Sequence, residues 1–300
     1  MRTFQRQPGD PFRVGSVSAM GTMNACERRF WHQYRAETPR DHDWKAPGYF
    51  AFGSALHKIL ELTEHDVTRY DKELLRQVCN DKGIDWDTDG AKLHVCMLAF
   101  YAGIKPMEII AIEEEVIHED WVMYIDLVAR DFRNTEMNNG NPWWYIIDNK
   151  QTGRKFDPLI LTKLTVDPQM MGYSKIAAPI IAKRYGLLMD EFFGVRYREV
   201  EKPRHKPSKK GESHDEFVER IGSTLFREPQ LSKCQFRDGM VIESLNAALK
   251  KGREFRCEAD TVMNTRACAD NGTTCAWYSQ CYGKTYTQAK FDGLDDWDKI

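Results

Sequence analysis

The chain has 300 residues, a formal net charge of −2 and 42% apolar against 29% charged residues. That length buries a sizeable core, as one large domain or two small ones, and the composition is that of an ordinary globular protein. The near-neutral balance excludes a global attraction to polyanions, so any nucleic-acid contact must use local basic patches. Eight cysteines are too sparse for a disulfide scaffold. The start, MRTFQRQPGD, has no apolar leader core, and no run is long enough to span a bilayer. A cytoplasmic protein is expected, in which clustered cysteines point to metal or cluster ligation.

Residues 1–15 read as a polar arm. From Val17, the residues Met20, Met23, Cys26, Phe30, Trp31 and Tyr34 recur at three- and four-residue steps and predict a helix. A polar loop follows over 36–48. It contains Asp43-Trp44-Lys45, an Asp-x-Lys triplet of the kind chance supplies about once in a chain this long. FAFGSALHKILELTEHD then predicts a helix with Ala55, Leu56, Ile59, Leu60 and Thr63 on one face and His57 and Glu61 as neighbours. Gly53, one turn before His57, permits close backbone approach. Residues 67–105 read as helical, with Cys79 and Cys96 as core cysteines. MEIIAIEEEVIH predicts an antiparallel strand, with Glu113, Glu114 and Glu115 as a solvated strand end.

The richest stretch runs from Trp121 to Gly153. WVMYIDLVAR is a β run with Asp126 in its middle, NNGNP is turn chemistry, and WWYIID is a second β run ending on Asp148. Lys150 lies two residues on, so Asp148 and Lys150 share a strand face. A reversal centred on Asn139-Gly140 sets Asp126 opposite Gly153, however. Bringing the two acids together needs a bulge, a longer loop or an offset. Beyond Gly153, Asp167 and Pro168 suit a helix N-cap and first position, with Gln169 and Tyr173 four apart on one face. FFGVRYREVEKP reads as an edge strand. RHKPSKKGESHDE reads as a basic loop in which Lys202, Arg204, Lys206, Lys209 and Lys210 are suited to a phosphate backbone, or simply to solvent. Residues 215–255 read as helical. The tail carries Cys257, Cys268, Cys275 and Cys281, the last three as C-x6-C-x5-C, and residues 286–300 are polar and acidic.

Taken in order, Cys26, Gly53 with His57, Asp126, Asp148-x-Lys150, Gln169-x-x-x-Tyr173 and the three-cysteine tail resemble the PD-(D/E)xK nucleases of the RecB type. The blocks GSALH, YIDLVA, IIDNKQTG, DPQMMGY and NTRACADNGTTCAWYSQC carry the likeness across roughly residues 16–282. It is closest to the iron–sulfur branch, which includes phage-type exonucleases and the nucleases of CRISPR adaptation. The resemblance implies an α/β restriction-endonuclease-like domain over 16–285, with a central mixed β-sheet flanked by helices. Asp126 and Asp148 would hold Mg²⁺ or Mn²⁺, with the Asn149 carbonyl as an extra ligand and His57 as ligand to a second ion. Lys150 would orient or deprotonate the attacking water, and Gln169 and Tyr173 would position strand or water. Cys26, Cys268, Cys275 and Cys281 would ligate a 4Fe–4S cluster joining the termini, with structural Zn²⁺ as the alternative and Cys257 as a substitute for Cys268.

The implied activity is phosphodiester hydrolysis on DNA, most simply exonucleolytic, in recombination, processing or repair. A processing partner and a bacterial or phage-infected cytoplasm go with it. A catalytically silent DNA- or partner-binding module on the same fold is the rival from another class. The sequence departs from the family pattern in three places: Asp148 stands for the commoner Glu, Tyr124 stands where many members have Gly, and the gap between Cys268 and Cys275 is long.

Overall fold

The structure is a computed structural model describing residues 26–30, 32–33, 48–118, 121–133, 135–153, 155–206 and 212–233, with isolated positions 243, 247, 250, 251 and 281. The chain divides into two compact units. One takes 1–45, 117–123 and 238–300, and the other takes 46–116 and 124–237. The first contributes a short helical turn, Glu27–Phe30, with Phe30 buried. Most of the expected N-terminal helix, the Asp43 triplet, Lys209, Lys210, Cys257, Cys268 and Cys275 lie outside the described residues.

The second unit is an α/β domain. Helix α1 (Gly48–Leu62) buries Phe52, Ala55, Leu56, Ile59 and Leu60 along one stripe, as its spacing predicts. It stops where the Thr63 hydroxyl turns back onto the Ile59 and Leu60 carbonyls and Glu64 and His65 adopt left-handed φ of 50° and 59°. Helix α2 (Lys72–Asp81) starts on Asp71, whose carboxylate accepts the Leu74 N–H. Helix α3 (Ala91–Gly103) completes the layer. Leu75, Val78, Cys79, Leu93, Cys96, Met97 and Phe100 close this core against Val200, so Cys79 and Cys96 are packing residues, as expected. Each such aliphatic or aromatic side chain contributes about 1.5–3 kcal/mol.

Strands β1 (Glu108–His118), β2 (Trp121–Asp131), β3 (Trp143–Thr152), β4 (Phe192–Glu201) and β5 (Phe226–Arg227) lie in that order in one sheet, and β6 (Gln230–Ser232) also pairs with β4. The β2–β3 pair is antiparallel and β3–β4 is parallel, a mixed sheet with helices against it. The crossover from β3 to β4 carries helices α4 (Ile160–Leu164), α5 (Pro168–Gly172) and α6 (Ala178–Tyr185). Helix α7 (His214–Ile221) follows β4, opened by a Ser213–Glu216 capping box.

Three expectations change. Strand β4 is interior rather than an edge, because β5 and β6 pair its outer side. The helical reading of 215–255 fails at Phe226–Arg227 and Gln230–Ser232, which become short strands because tertiary pairing overrides local propensity, while positions 243, 247, 250 and 251 are helical and the rest of 234–255 lies outside the described residues. The turn is not a two-residue reversal. Residues 132–142 form a long connection containing a 3₁₀ turn, Thr135–Asn138, before Asn139 and Gly140 take φ of 53° and 88°. Its midpoint therefore precedes Asn139.

At Gly194 the main chain has φ of 150°, and a Cβ there would sit 1.9 Å from the Leu231 carbonyl oxygen. The closeness of β6 to β4 thus depends on a bare backbone.

Three histidines, the buried His65 and His214 and the half-buried His94, are held toward the neutral form by loss of solvent. The His214 ring stacks on Trp86 at 3.8 Å, with Nδ1 2.9 Å from the Trp86 carbonyl and Nε2 3.1 Å from His94 Nδ1. The carbonyl makes His214 Nδ1 the donor, so His94 donates to His214 Nε2. Burial lowers His94 to about 4 and His65 to about 3, with Arg198 adding to the effect at His65.

A lowered histidine contributes stability above the unfolded value near 6.5 and loses it as pH falls toward the folded value. We expect metal-free protein to lose about 2 kcal/mol for each of His94 and His65 between pH 7 and 5, offset by about 1 kcal/mol from the raised carboxyl of Asp148. Urea unfolding across that range measures it. His65→Asn, which tolerates the left-handed backbone, is expected to flatten the acid limb by about one proton.

Candidate active site

The residues singled out between His57 and Tyr173 all belong to the second unit. The register pairs Leu127 with Ile147 and Val128 with Ile146. Continuing that ladder one step sets Asp126 across from Asp148. The long 132–142 connection thus removes the conflict left by the turn. Beyond the last pair, the Asn149 N–H donates to Asp126 Oδ2 at 2.6 Å, so the carboxylate takes over where the strand ladder ends.

Asp148 is fully buried. Its Oδ1 accepts hydrogen bonds from Lys150 Nζ at 2.9 Å and Gln169 Nε2 at 3.1 Å, while Oδ2 has no hydrogen-bond partner. Burial pushes its carboxyl up to about 6; Lys150 opposes the rise and Asp126 adds to it. A buried, ionisable oxygen with no donor is costly in isolation and is the natural place for a cation. At Lys150 burial alone would lower the ammonium, but the Asp148 and Asp126 carboxylates outweigh it and hold the group charged. In the metal-free site Lys150 therefore stands as a donor and a positive charge beside Asp148.

The crossover supplies the rest. Asp167 caps α5 by accepting the Gln169 and Met170 N–H groups, with Pro168 at the first position, which fixes the Gln169 backbone. Gln169 Nε2 also donates to the Tyr173 hydroxyl at 2.6 Å, and that hydroxyl donates to the Tyr124 carbonyl at 2.7 Å. Tyr173 opens a π turn, Tyr173–Ala177, closed by the Ala178 N–H on the Tyr173 carbonyl. Pro179 explains the widening: it lacks an N–H, and its ring would crowd the Lys175 carbonyl in a regular helix. Tyr173 is only 2% exposed. Burial beside Asp148 and Asp126 raises its hydroxyl well above the usual range, so it stays protonated. Gln169 and Tyr173 therefore form a scaffold behind Asp148.

His57, on α1, sets Nδ1 3.5 Å from Asp126 Oδ1. Glu113 joins them: ligand atoms of His57, Glu113 and Asp126 lie within 4.8 Å of one another. Glu113 was expected at a solvated strand end. Glu113 and Glu115 are both exposed, as expected, whereas Glu114 is half-buried, accepts the Tyr185 hydroxyl at 2.8 Å and pairs with Arg184. Three identical residues in a row carry no mark of which one turns toward a histidine, so the sequence held no signal for Glu113. Although Glu113 is exposed, partial loss of water around its carboxyl and then the Asp126 carboxylate raise it, with His57 opposing.

Two hard carboxylates, an imidazole and an unsatisfied buried oxygen suit a divalent cation of the Mg²⁺ or Mn²⁺ type. A family model described as the PD-(D/E)XK nuclease superfamily matches residues 15–282. The chain belongs to the PD-(D/E)XK nuclease superfamily. No curated protein matches the chain.

The match covers both ends of the constellation, from before Cys26 to just past Cys281. In this member of the superfamily Cys26 is buried and Cys281 half-buried within the first unit, and the other two proposed cluster ligands lie outside the described residues. Of the basic loop, Lys202 turns inward, 3.2 Å from Asp89 and 4.1 Å from the Phe52 ring centre, while Arg204 and Lys206 are exposed. Among the described residues, no helix is long and apolar enough to cross a membrane.

Proposed function

We propose that the chain is a metal-dependent deoxyribonuclease that hydrolyses DNA phosphodiester bonds, acting as an exonuclease in recombination, processing or repair. The observation that carries the reading is Asp148: one oxygen held by Lys150 and Gln169, the other buried without a donor, beside Asp126 and His57. Asp126, Asp148 and His57 would hold Mg²⁺ or Mn²⁺, with the Asn149 carbonyl as a further ligand. The bound ion would supply Lewis-acid stabilisation of charge at the phosphate.

The protein's own groups have distinct tasks. Lys150 stays charged, orients the attacking water and offsets negative charge at the reacting phosphoryl group. Gln169 and Tyr173 fix the Asp148 carboxylate through a fully donated chain that ends on the Tyr124 carbonyl. Arg204, Lys206, Lys209 and Lys210 would follow the DNA backbone, whereas Lys202 serves packing.

Cys26, Cys268, Cys275 and Cys281 are assigned to a 4Fe–4S cluster on the spacing of the tail and the family likeness. A cytoplasmic setting, in bacteria or a phage-infected host, fits a reduced cluster and a DNA substrate.

End-labelled linear and circular DNA, single- and double-stranded, tests the reading with purified full-length protein in Mg²⁺ or Mn²⁺. Cation-dependent loss of linear DNA from an end supports exonuclease action, and nicking of circles redirects it to endonuclease action. Absence of any metal-stimulated cleavage favours a silent binding module and sinks the enzyme reading. Broad visible absorbance in the same preparation supports the cluster, and a colourless zinc-bearing protein overturns it.

A further inference from the structure

We infer that Glu113 is a metal ligand, and that with His57 and Asp126 it forms a second divalent-cation position next to the one between Asp126 and Asp148. The inference rests on the nuclease reading for its purpose, though not for its geometry. Glu113 sits inside β1 with φ of 50°, a left-handed conformation that L residues other than Gly and Asn avoid at roughly 1–2 kcal/mol. A residue so held within a strand is re-aimed, as at a β-bulge. Here the side chain comes to His57 and Asp126. A glycine would hold this backbone more easily, so the glutamate is present at an energetic disadvantage to its own strand.

Among the described residues, no hydrogen bond or ion pair relieves that arrangement. The side chain is exposed, and its carboxylate oxygen lies within 4.8 Å of the ligand atoms of His57 and Asp126. His57 Nδ1 and Asp126 Oδ1 stand 3.5 Å apart. Donors about 2.1 Å from one small divalent ion lie about 3–4.2 Å from each other, so the group closes around an ion with little movement. A separate observation points to the same neighbourhood. Asp148, fully buried, keeps Oδ2 without a partner and feels both Asp126 and His57. Asp126 has one oxygen near His57 and the other accepting the Asn149 N–H, which sets it between the two positions. Three carboxylates and one imidazole exceed what one hydrated Mg²⁺ takes from a protein, and they match two ions sharing Asp126.

Equilibrium binding of Mn²⁺ alone to the full-length protein, read from the resonance of free Mn²⁺, tests this without any nuclease assay. Wild type is expected to bind two ions per chain. Glu113→Gln and Glu113→Gly are each expected to bind one at unchanged strength and to lose the other at least about tenfold, since outer-shell changes alone commonly cost 10–100-fold. Asp148→Asn is expected to keep the ion at Glu113.

Glu113→Gly also serves as the folding control: in chelator its melting temperature is expected to equal or exceed that of wild type, because glycine relieves the left-handed residue. One ion in wild type, or Mn²⁺ binding by Glu113→Gln within threefold of wild type at both positions, overturns the inference. Loss of one ion in Glu113→Gln from a protein that cuts no DNA upholds it and sinks the nuclease reading instead.

Discussion

Asp148→Asn and Lys150→Ala are each expected to lower DNA cleavage by about 10³-fold or more, with far-UV circular dichroism unchanged. The size follows from what each group does. Removing one preorganised electrostatic contact to a reacting oxyanion commonly costs about 10²–10³-fold, and under the proposed function Asp148 would hold a cation as well as orient Lys150. Asparagine keeps the shape and still accepts from Gln169 and Lys150, so the loss reports charge rather than collapse. Lys150→Ala acts twice. It removes the ammonium from the reacting phosphate, and it takes away the charge that keeps the buried Asp148 carboxyl from rising further. That second effect has a signature: activity remaining in Lys150→Ala should shift to higher pH than in wild type. Single-turnover cleavage of end-labelled DNA from pH 6 to 9 measures both. Cleavage equal to wild type in either variant would remove the site from the reaction.

The largest stability effect is expected far from this chemistry, at Asp131→Ala. Asp131 ends β2 and is 1% exposed. It receives Arg133 Nε at 2.7 Å and Arg196 Nη2, while Arg196 also lies 3.6 Å from the Tyr145 ring centre. Burial pushes the Asp131 carboxyl up, but the hydrogen bonds of Arg133 and Arg196 hold it well below the usual range. Arg196 is itself 1% exposed, next to the equally buried Arg198, which Glu228 binds at 2.9 Å. Deleting Asp131 leaves a guanidinium in the core whose remaining acid among the described residues is Glu228, at 3.8 Å. Breaking a buried pair in this way costs about 3–5 kcal/mol. Urea unfolding is expected to show that loss at pH 7. Arg196→Met added to Asp131→Ala should recover much of it, because an apolar pair of similar volume does not strand a charge. An additive double variant would show that the pair is not coupled. A depressed carboxyl contributes stability above its unfolded value and loses it below, so the wild-type advantage should fade as pH falls below about 4.

The two halves of the site differed in how far they could be read ahead. Asp148 and Lys150 shared a face because strand geometry has a period of two, and Asp167, Pro168, Gln169 and Tyr173 formed a capped turn from local chemistry alone. Asp126 was legible as a residue but not in its place. Its position depends on the length of the 132–142 connection, and Asn-Gly chemistry pointed to the wrong centre. Strand β4 looked like an edge because its two partners are only two and three residues long, too short to show a period. Glu113 was invisible because backbone handedness at one of three consecutive glutamates decides where it points. Lys202 read as a solvated cation, yet its stem lies on Phe52 and its charge on Asp89, a tertiary outcome no local pattern announces.

The main-chain hydrogen bond from position 149 to Asp126 has an implication for how this centre tolerates drift. The donor is an amide that every residue but proline possesses, so the orientation of a key acid is insulated from the identity of the side chain beside it. That side chain faces its own problem: the Asn149 amide group is 1% exposed, with neither its oxygen nor its nitrogen hydrogen-bonded. An apolar residue of similar size would shed the unmet polarity without disturbing the acid. Between two positions that admit almost no change, the chain therefore holds one that is open to variation, and a route by which the fold gains robustness while its reactive groups stay fixed.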